Sequence, residues 1–322
     1  MIKRIKFIVS ILLVCCSGST SAQLIDNTST FRNINSSGYF RFHYDNDYFT
    51  KSDEYYTQGI TLDYVHPAIG KMFLAKLLWK PYNSIPQYGV SVNLFGYTPT
   101  SIASDSILYG DRPFDANISF KTFLIQTDAV KRQQVSSAFS VGVMGPWALG
   151  YEIQHGIHKW LKNSLPHGWQ YQIKNDVIIN YQVNYEKQLL NAENYFLLNT
   201  TAELRLGTLN NRASGGLNFM AGLFNKRFVS IAAKPKAEYY FYAQGRGNVV
   251  GYDASLQGGL FNRSSPYTIA VADVSRFTFQ TDAGVIINFK KLYLSYTQSF
   301  LTKEFSAGKY HRWGGVSIGF SL

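Results

Sequence analysis

Gln154 and His158 lie four residues apart in the strongest helical pattern of a 322-residue chain that otherwise reads mostly as strands. A helix that opens near Ala148 and closes before Pro166 places both side chains on one face, one turn apart. A neutral imidazole at that position can take a proton from water and act as a general base. The helix alone favours a different interpretation, in which His158 is an ordinary histidine at a packing interface.

The start of the chain has the features of an export signal. Three cations precede an apolar run, and small residues follow it up to Ala22. We predict a signal peptide over residues 1–22 and one mature domain over residues 23–322. Both cysteines lie in the signal, so the mature chain can form no disulfide and no thiolate metal site. A lipoprotein signal ending at Cys15 or Cys16 is a poorer alternative.

The charge of the chain indicates anionic partners. The formal net charge is +11, and +8 remains after the three signal cations are removed. For an exported protein the nearest anions are lipid head groups and lipopolysaccharide phosphates. We therefore expect membrane lipids, and not nucleic acid, as partners.

The composition is typical of a membrane barrel. Aromatic residues make up 16% of the chain, while the mean hydropathy is only −0.12. No stretch after the signal has the length and apolar character of a transmembrane helix. In an outer-membrane barrel, lipid-facing and lumen-facing residues alternate, so their hydropathies average out. A soluble secreted sandwich is the alternative that composition leaves open.

Twelve segments read as strands, and in the first of them Phe40, Phe42 and Tyr44 share one face. The segments are residues 39–47, 55–66, 88–97, 116–126, 136–144, 176–190, 195–206, 216–223, 237–244, 276–289, 292–301 and 313–322. An even number of strands lets both termini lie on the periplasmic side. Closing the sheet into a barrel leaves no unpaired strand edge in lipid. We predict an all-β fold, a twelve-stranded antiparallel transmembrane β-barrel in the outer membrane of a Gram-negative-type envelope. The helix described above lies in its third extracellular loop.

The connection after the second strand is longer than a periplasmic turn should be. Residues 70–80 form a candidate cationic amphipathic helix with three lysines. The apolar side chains that could enter the membrane interface are Met72, Phe73, Leu77, Leu78 and Trp79. A helix that packs on the barrel floor is the alternative.

The barrel topology brings residues that are distant in sequence to one outer mouth. Asn46 and Asp47 end the first strand there, and Thr57 begins the second. The loop from 145 to 175, which holds the helix, lies outside as well. So does the turn at 111–113, whose Asp and Arg could form an ion pair that holds a loop.

Several short motifs follow one another along the mature chain. They are Asn46-Asp47, Tyr55-Tyr56-Thr57-Gln58-Gly59, Gly110-Asp111-Arg112-Pro113-Phe114, Gly145-Pro146, Gln154 with His158, Pro166, Gly168-Trp169 and Gln172. In these motifs the sequence resembles the lipid A 3′-O-deacylase family of outer-membrane β-barrel proteins. The resemblance implies a calcium-dependent carboxylic ester hydrolase with its site between the barrel wall and an outer-loop helix. Such an enzyme removes the 3′-linked acyloxyacyl group of lipid A, using histidine-activated water and calcium-assisted oxyanion stabilisation.

The resemblance also implies roles for individual residues. It makes His158 the general base and places Gln154, Asn46 and Thr57 with it as catalytic residues. Asp47 and Thr57 are the expected calcium ligands, since Ca²⁺ prefers oxygen donors. Each residue at the rim has a structural alternative, because Asn-Asp pairs often end strands and Thr is common within them. We expect a monomer that acts on lipopolysaccharide in the outer leaflet.

One loop departs from the family pattern. Members of the family can carry cations in the second outer loop that suit lipid A phosphate, whereas residues 101–109 contain no Lys or Arg and include Asp105. This departure affects the expected phosphate contacts and the preferred form of lipid A more than the hydrolytic centre.

Other classes of function remain open. An outer-membrane phospholipase with a serine nucleophile needs a Ser and a His close together on an outer barrel face, and no convincing pair stands out in the sequence. A catalytically inactive porin-like or adhesive barrel would keep the scaffold without the chemistry. A zinc site of His155, His158 and His167 is only weakly indicated by the spacing of these residues.

Overall fold

Twelve antiparallel strands close into one barrel, in which consecutive strands pair and β1 pairs with β12. The structure is a computed structural model that describes residues 27–50, 55–228 and 236–322, so the predicted signal peptide lies outside the described residues. The strands are β1 (Tyr39–Asn46), β2 (Tyr56–Val65), β3 (Gln87–Tyr97), β4 (Asp115–Asp128), β5 (Gln133–Met144), β6 (Asp176–Ala192), β7 (Phe196–Gly207), β8 (Asn210–Leu223), β9 (Glu238–Asp253), β10 (Phe277–Phe289), β11 (Leu292–Leu301) and β12 (His311–Ser321). The predicted twelve-stranded barrel is confirmed.

In the described chain, helices occur only in the N-terminal segment and in the connections between strands. The two α-helices are α1 (Gly150–Leu161) and α2 (Ala254–Gln257). Short 3₁₀ turns occupy Thr30–Arg32, Asp47–Thr50, Pro67–Lys71, Phe73–Leu77, Gly145–Ala148 and Trp169–Tyr171. The predicted helix in the third outer loop is confirmed as α1. Within the described residues, no helix has both the length and the apolar character needed to cross a membrane.

Side chains alternate between the two faces of the wall. In β1 the outward Phe40 is 40% exposed, whereas the inward Arg41 is 1% exposed. In β2 the outward Leu62 and Tyr64 are likewise exposed, and the inward Asp63 is buried. This period of two follows from the strand pleat and gives the barrel an apolar outer surface around a polar lumen.

The lumen is filled by its own charges and by the N-terminal segment. Arg32 donates hydrogen bonds to the Tyr242 hydroxyl at 3.0 Å and to Thr297 at 2.9 Å. The backbone N–H of Thr30 donates to Glu186 at 2.8 Å. These contacts compensate the desolvation of the buried charges and hold the segment across the interior. The sequence did not predict this internal plug.

Two strands, β8 and β9, are much longer than predicted. β8 begins at Asn210 instead of residue 216, and β9 continues to Asp253 instead of residue 244. Glycines interrupt the alternating pattern in β8 and β9, so the pattern did not indicate the full length of either strand. The structure gives the reason for these glycines, because a Cβ on Gly216 would collide with the backbone around Gly245 and Arg246 of β9. Glycine therefore permits close strand approach here and does not mark a loop.

Residues 70–80 do not form the single amphipathic helix that the sequence suggested. The 3₁₀ turns Pro67–Lys71 and Phe73–Leu77 are separated by Met72, which is extended with φ −66° and ψ 148°. Gly70 lies so close to the wall that a Cβ there would be 2.7 Å from the Tyr88 ring. Contact with the wall therefore outweighs the local helical pattern.

Candidate active site on the outer wall

Asn46 joins the end of β1 to the beginning of β2. Its Nδ2 donates to the backbone carbonyl of Thr57 at 2.5 Å and to the Tyr44 hydroxyl at 3.1 Å. Its Oδ1 accepts the N–H of Tyr48 at 2.7 Å. Both ends of the amide are engaged, so in this arrangement Asn46 fixes the backbone position of Thr57.

A β-bulge turns two successive side chains of β2 to the outer face. Tyr56 pairs with Tyr97 and Gln58 pairs with Gly96, which leaves Thr57 as the extra residue. A Cβ on Gly96 would meet Thr57 Cγ2 at 3.2 Å and Gln58 Cγ at 3.5 Å, so both side chains lie over the same outward position. In a regular strand they would point to opposite faces. The bulge therefore places two polar side chains on a surface that is otherwise apolar.

Small residues on the outer wall make room for α1. Gly96 of β3 pairs with Ala116 of β4, and Ala116 is fully buried beneath the loop. A Cβ on Gly150, the first residue of α1, would lie 2.5 Å from the Ala116 Cβ and 2.6 Å from the Trp169 ring. Phe114 packs in the same cluster. The helix therefore lies directly on the outside of the barrel.

Enlarging Gly150 is expected to loosen α1. A methyl group in Gly150→Ala must displace a neighbouring side chain or shift the helix, whereas Gly156→Ala on the same helix meets nothing within 4 Å. Overpacking of 1 kcal/mol raises the population of an open loop about fivefold. Trypsin should therefore cut at the lysines ending α1 about fivefold faster in Gly150→Ala. In Gly156→Ala it should cut no faster than in the wild type, because alanine is the better helix former and meets no neighbour there. Equal cleavage of the two variants would contradict this packing.

Gln154 connects α1 to the barrel wall. Its Nε2 donates to Thr57 Oγ1 at 2.9 Å, and its Oε1 accepts the indole N–H of Trp169 at 2.7 Å. An indole nitrogen can only donate, so Trp169 determines which way the Gln154 amide points. Because Thr57 Oγ1 already accepts this hydrogen bond, its own proton is available to a group in the cleft.

His158 follows one turn later on α1 and is half-buried. Its Nδ1 lies 2.6 Å from the carbonyl oxygen of Ser164, which can only accept a hydrogen bond. In the neutral imidazole, Nδ1 therefore carries the proton, and Nε2 has a lone pair that can accept one. The chain reaches this position because Lys162 adopts the left-handed conformation, with φ 57°, and reverses the direction after α1. This is the tautomer that a general base requires.

Asp47 lies at the same rim, directly after Asn46. It begins a 3₁₀ turn, its side chain is buried, and its backbone carbonyl accepts a hydrogen bond from Thr50 Oγ1 at 2.9 Å. The carboxylate of Asp47, the hydroxyl of Thr57 and nearby carbonyls are all oxygen donors. Such a donor set fits a hard cation such as calcium in kind, with the remaining ligands coming from backbone carbonyls and water.

The three histidines of the zinc alternative do not converge. His158 contacts Ser164, as described above, while His167 Nδ1 lies 2.9 Å from Asp105 at an exposed position. His155 packs against the Tyr151 ring at 5.2 Å. In the part of the chain that the structure describes, no three His, Cys, Asp or Glu side chains are grouped to hold a metal. The geometry gives the zinc alternative no support.

A serine, a histidine and an aspartate do meet, but inside the lumen. His43 Nδ1 lies 2.6 Å from Ser317 Oγ, and His43 Nε2 lies 2.6 Å from Asp45 Oδ1. All three side chains are buried. Because they lie on the lumenal face of the wall, they are separated from Thr57 and α1 and are not accessible to a lipid in the membrane.

Arg112 ties the outer loops together, although not as the sequence suggested. It pairs with Glu304 instead of Asp111, and it donates to Ser255 Oγ at 2.7 Å. Asp111 instead accepts a hydrogen bond from Thr100 Oγ1 at 2.6 Å. Burial lowers the pKa of the Arg112 guanidinium, and the nearby Tyr97 partly offsets this effect. The buried ion pair of Arg112 and Glu304 therefore holds the outer loops together at the mouth of the barrel.

Three contributors to the site had no assigned role in the sequence. Trp169 orients Gln154, the Ser164 carbonyl orients His158, and Gln58 shares the outward face with Thr57. The Nε2 of the buried Gln58 has no hydrogen-bond partner among the residues described. The one available signal was Gly59, since glycine within a strand pattern often indicates a bulge or a close approach.

The chain is similar to one protein family and to several solved structures. The model of a family described as outer membrane protein LpxR matches residues 7–322. Among solved structures, LpxR from Salmonella typhimurium superposes with a TM-score of 0.72 at 18% sequence identity, covering 88% of this chain and 100% of that one. The β domain of the Bordetella autotransporter BrkA covers 88% of this chain and 98% of its own at 9% identity, with a TM-score of 0.46. A search of the curated proteins finds no match.

Proposed function

The chain belongs to the family of outer membrane protein LpxR, and we propose that it acts in that membrane as a lipid A deacylase. This membership confirms the family predicted from the sequence motifs. It also confirms the outer-membrane location predicted from the signal peptide, the composition and the strand pattern. The proposed reaction is hydrolysis of the ester that carries the 3′-linked acyloxyacyl group, with a calcium-dependent site formed by α1 and the outer wall.

One observation carries the proposal: the hydrogen bond from Gln154 to Thr57 holds α1 against the outside of the barrel. His158 lies one turn, about 5.4 Å, further along the same helix. The imidazole is thereby presented at the outer rim, where a lipid in the outer leaflet can approach from the side. A soluble substrate would not require a site on the membrane-facing wall.

The chemistry begins with proton transfer to His158. As a water oxygen bonds to the ester carbonyl carbon, Nε2 takes one of its protons, and the imidazolium is stabilised by the Ser164 carbonyl. The oxygen of the substrate's ester carbonyl then carries a negative charge. The Thr57 hydroxyl and the Gln58 amide are the donors on this wall that can stabilise it. When the carbon–oxygen ester bond breaks, His158 returns the proton to the leaving sugar oxygen.

Calcium would act at the oxyanion. Asp47 and Thr57 would hold it, together with backbone carbonyls at the rim. When bound, Ca²⁺ supplies Lewis-acid polarisation of the scissile carbonyl. Asn46 supports this site indirectly, because its amide holds the backbone of Thr57.

Purified protein provides the direct test of the reaction. Lipid A in detergent micelles, incubated with the protein and calcium, should lose the acyloxyacyl group and release it as a free acid. The His43→Ala variant is altered on the lumenal face of the wall. It serves as the control for changes inside the barrel. Absence of product at every calcium concentration would contradict the proposed activity.

Trp169→Phe is expected to lower the rate by roughly 10- to 100-fold, because the Gln154 amide loses the donor that orients it and the site geometry relaxes. The aromatic packing on Phe114 is kept. Trp147, in the same loop, has a 61% exposed side chain, so Trp147→Phe is a matched control with little expected effect. The measurement is kcat and KM of both variants, with heat-modifiable migration as the check on folding. Equal rates would show that Trp169 has no positioning role.

The phospholipase alternative makes a different prediction. A serine hydrolase would react with a phosphonate probe, whereas a water-activating enzyme has no nucleophile to label. Because Ser317 is buried in the lumen, we expect no labelled peptide containing it, and no loss of activity after probe treatment. Labelling of Ser317 with parallel inactivation would transfer the catalytic role to the lumenal array.

The porin-like alternative is disfavoured by the interior of the barrel. Arg32 and its neighbours in the N-terminal segment span the lumen, and paired charges occupy the space around them. An open channel needs a continuous aqueous path, and the N-terminal segment occupies part of the space that such a path requires. A monomeric state remains our prediction.

A further inference from the structure

The segment between β2 and β3 lies at the opposite end of the barrel from α1. The β2–β3 segment, defined as residues 67–82, follows β2 at the periplasmic end and has no place in the proposed reaction. It crosses the outward face of several strands before β3 begins. It is thus a second element on the membrane side of the wall.

The buried side of this segment packs on outward residues of the barrel. Ala75 and Leu78 form a cluster with Tyr88 of β3 and Leu124 of β4. Tyr88 and Leu124 are partners in the β3–β4 ladder and face away from the lumen. The segment therefore lies outside the wall and not on the barrel floor.

Hydrogen bonds fix the segment on the wall. The Tyr181 hydroxyl, on the outward face of β6, donates to the carbonyl of Leu77 at 3.1 Å and accepts the N–H of Trp79 at 2.8 Å. Ser137 Oγ of β5 donates to the carbonyl of Trp79 at 3.0 Å. Backbone groups that would otherwise face lipid without partners are satisfied in this way. The segment is therefore held firmly against the outside of the wall.

The other side of the segment is apolar and cationic. Phe73 is 73% exposed and Trp79 is 52% exposed. The cations are three exposed lysines, Lys71, Lys76 and Lys80. Residues 67–87 contain no Asp or Glu, so the positive charge of this surface is not balanced within the segment. Exposed aromatic side chains between lysines are typical of a surface that enters the interfacial region of a bilayer.

We propose that the β2–β3 segment is a binding surface for anionic phospholipid head groups of the periplasmic leaflet. Phe73 and Trp79 enter the acyl boundary, and the three lysines contact phosphates beside them. The ligand is a phospholipid because the surface faces the membrane at the periplasmic end, whereas lipopolysaccharide lies in the outer leaflet. This inference does not depend on the proposed function.

The test uses the full-length mature protein reconstituted in bilayers of equal parts phosphatidylglycerol and phosphatidylcholine, followed by native mass spectrometry of the lipids that stay bound. The test variant is Lys71→Gln/Lys76→Gln/Lys80→Gln. The matched control removes the same charge from three exposed lysines in other periplasmic turns, and it is Lys131→Gln/Lys290→Gln/Lys291→Gln.

We expect phosphatidylglycerol to be enriched on the wild type and on the control, and at least about fivefold less enriched on the test variant. All three proteins should show the same heat-modifiable migration, because the altered side chains are exposed. Equal loss in the two variants would show that net charge alone attracts the lipid and would overturn the site. No enrichment on the wild type would also overturn it and would direct the search to a periplasmic protein partner.

Discussion

Replacing His158 with asparagine is expected to lower the rate of lipid A deacylation by roughly 10²- to 10⁴-fold, the range that a general base contributes. The asparagine amide can still donate to the Ser164 carbonyl, so the loop should keep its position. What is lost is the unprotonated Nε2. The measurement is kcat and kcat/KM on lipid A in micelles, with barrel migration as the check on folding.

His155 provides the matched control for this experiment. It lies on the same helix but packs against the Tyr151 ring, and the hydrogen bonds described for Thr57 and the Ser164 carbonyl do not involve it. His155→Asn should therefore leave the rate within a few-fold of the wild type. Full activity of His158→Asn would remove His158 from the mechanism, whereas equal losses in both variants would indicate a general effect on α1.

Removal of calcium is expected to have the second large effect. If the metal stabilises the oxyanion, its loss costs several kcal/mol in the transition state, or roughly 10²- to 10³-fold in rate. Chelation should stop turnover reversibly. Calcium should restore activity better than magnesium, because rim oxygens form an irregular donor set that suits the larger ion.

Asp47→Asn tests where calcium binds. The variant keeps the shape of the side chain but removes its charge, so we expect a higher calcium concentration to be needed for half-maximal activity. The Asp111→Asn variant is the control, since Asp111 is a carboxylate at the same end of the barrel that is engaged with Thr100. Unchanged activity of the wild type in excess chelator would exclude the metal role, whereas an unchanged requirement in Asp47→Asn would place the metal elsewhere.

Much of the fold could be predicted from sequence because its periodicity is local. The alternation of Phe40, Phe42 and Tyr44 with polar residues follows directly from the strand pleat, and the outward exposure of these side chains agrees with it. The helix α1 was predictable for the same reason. Where glycines replaced the alternating residues, as in β8 and β9, the local signal failed, because their purpose is close contact between neighbouring strands.

The site was only partly predictable, since its geometry depends on contacts between distant residues. The motifs predicted that Thr57, Gln154 and His158 lie at one mouth of the barrel. They could not show that a bulge turns the Thr57 side chain to the membrane side. Nor could they show that Trp169 orients the Gln154 amide. The N-terminal plug was missed because its polar residues resemble a flexible leader until the charges of the lumen are in place around Arg32.

The β2–β3 segment shows the same limit. Its lysines and aromatic residues were recognisable as an amphipathic pattern, and the pattern suggested a helix. Tertiary contacts decided otherwise, because Tyr88 occupies the space against Gly70 and the hydroxyl of Tyr181 binds the backbone beside Trp79. The composition of the surface could be predicted, whereas its conformation and its place on the outer wall could not.

Mass spectrometry of lipid A from cells tests the central claim most directly. Lipid A would be extracted from a strain lacking this protein, from the same strain expressing the wild type, and from one expressing His158→Asn at an equal level in the outer membrane. The account predicts that the wild type alone converts lipid A to a species lighter by the 3′-acyloxyacyl group. Identical spectra in all three strains, or loss of an acyl chain from another position, would contradict it.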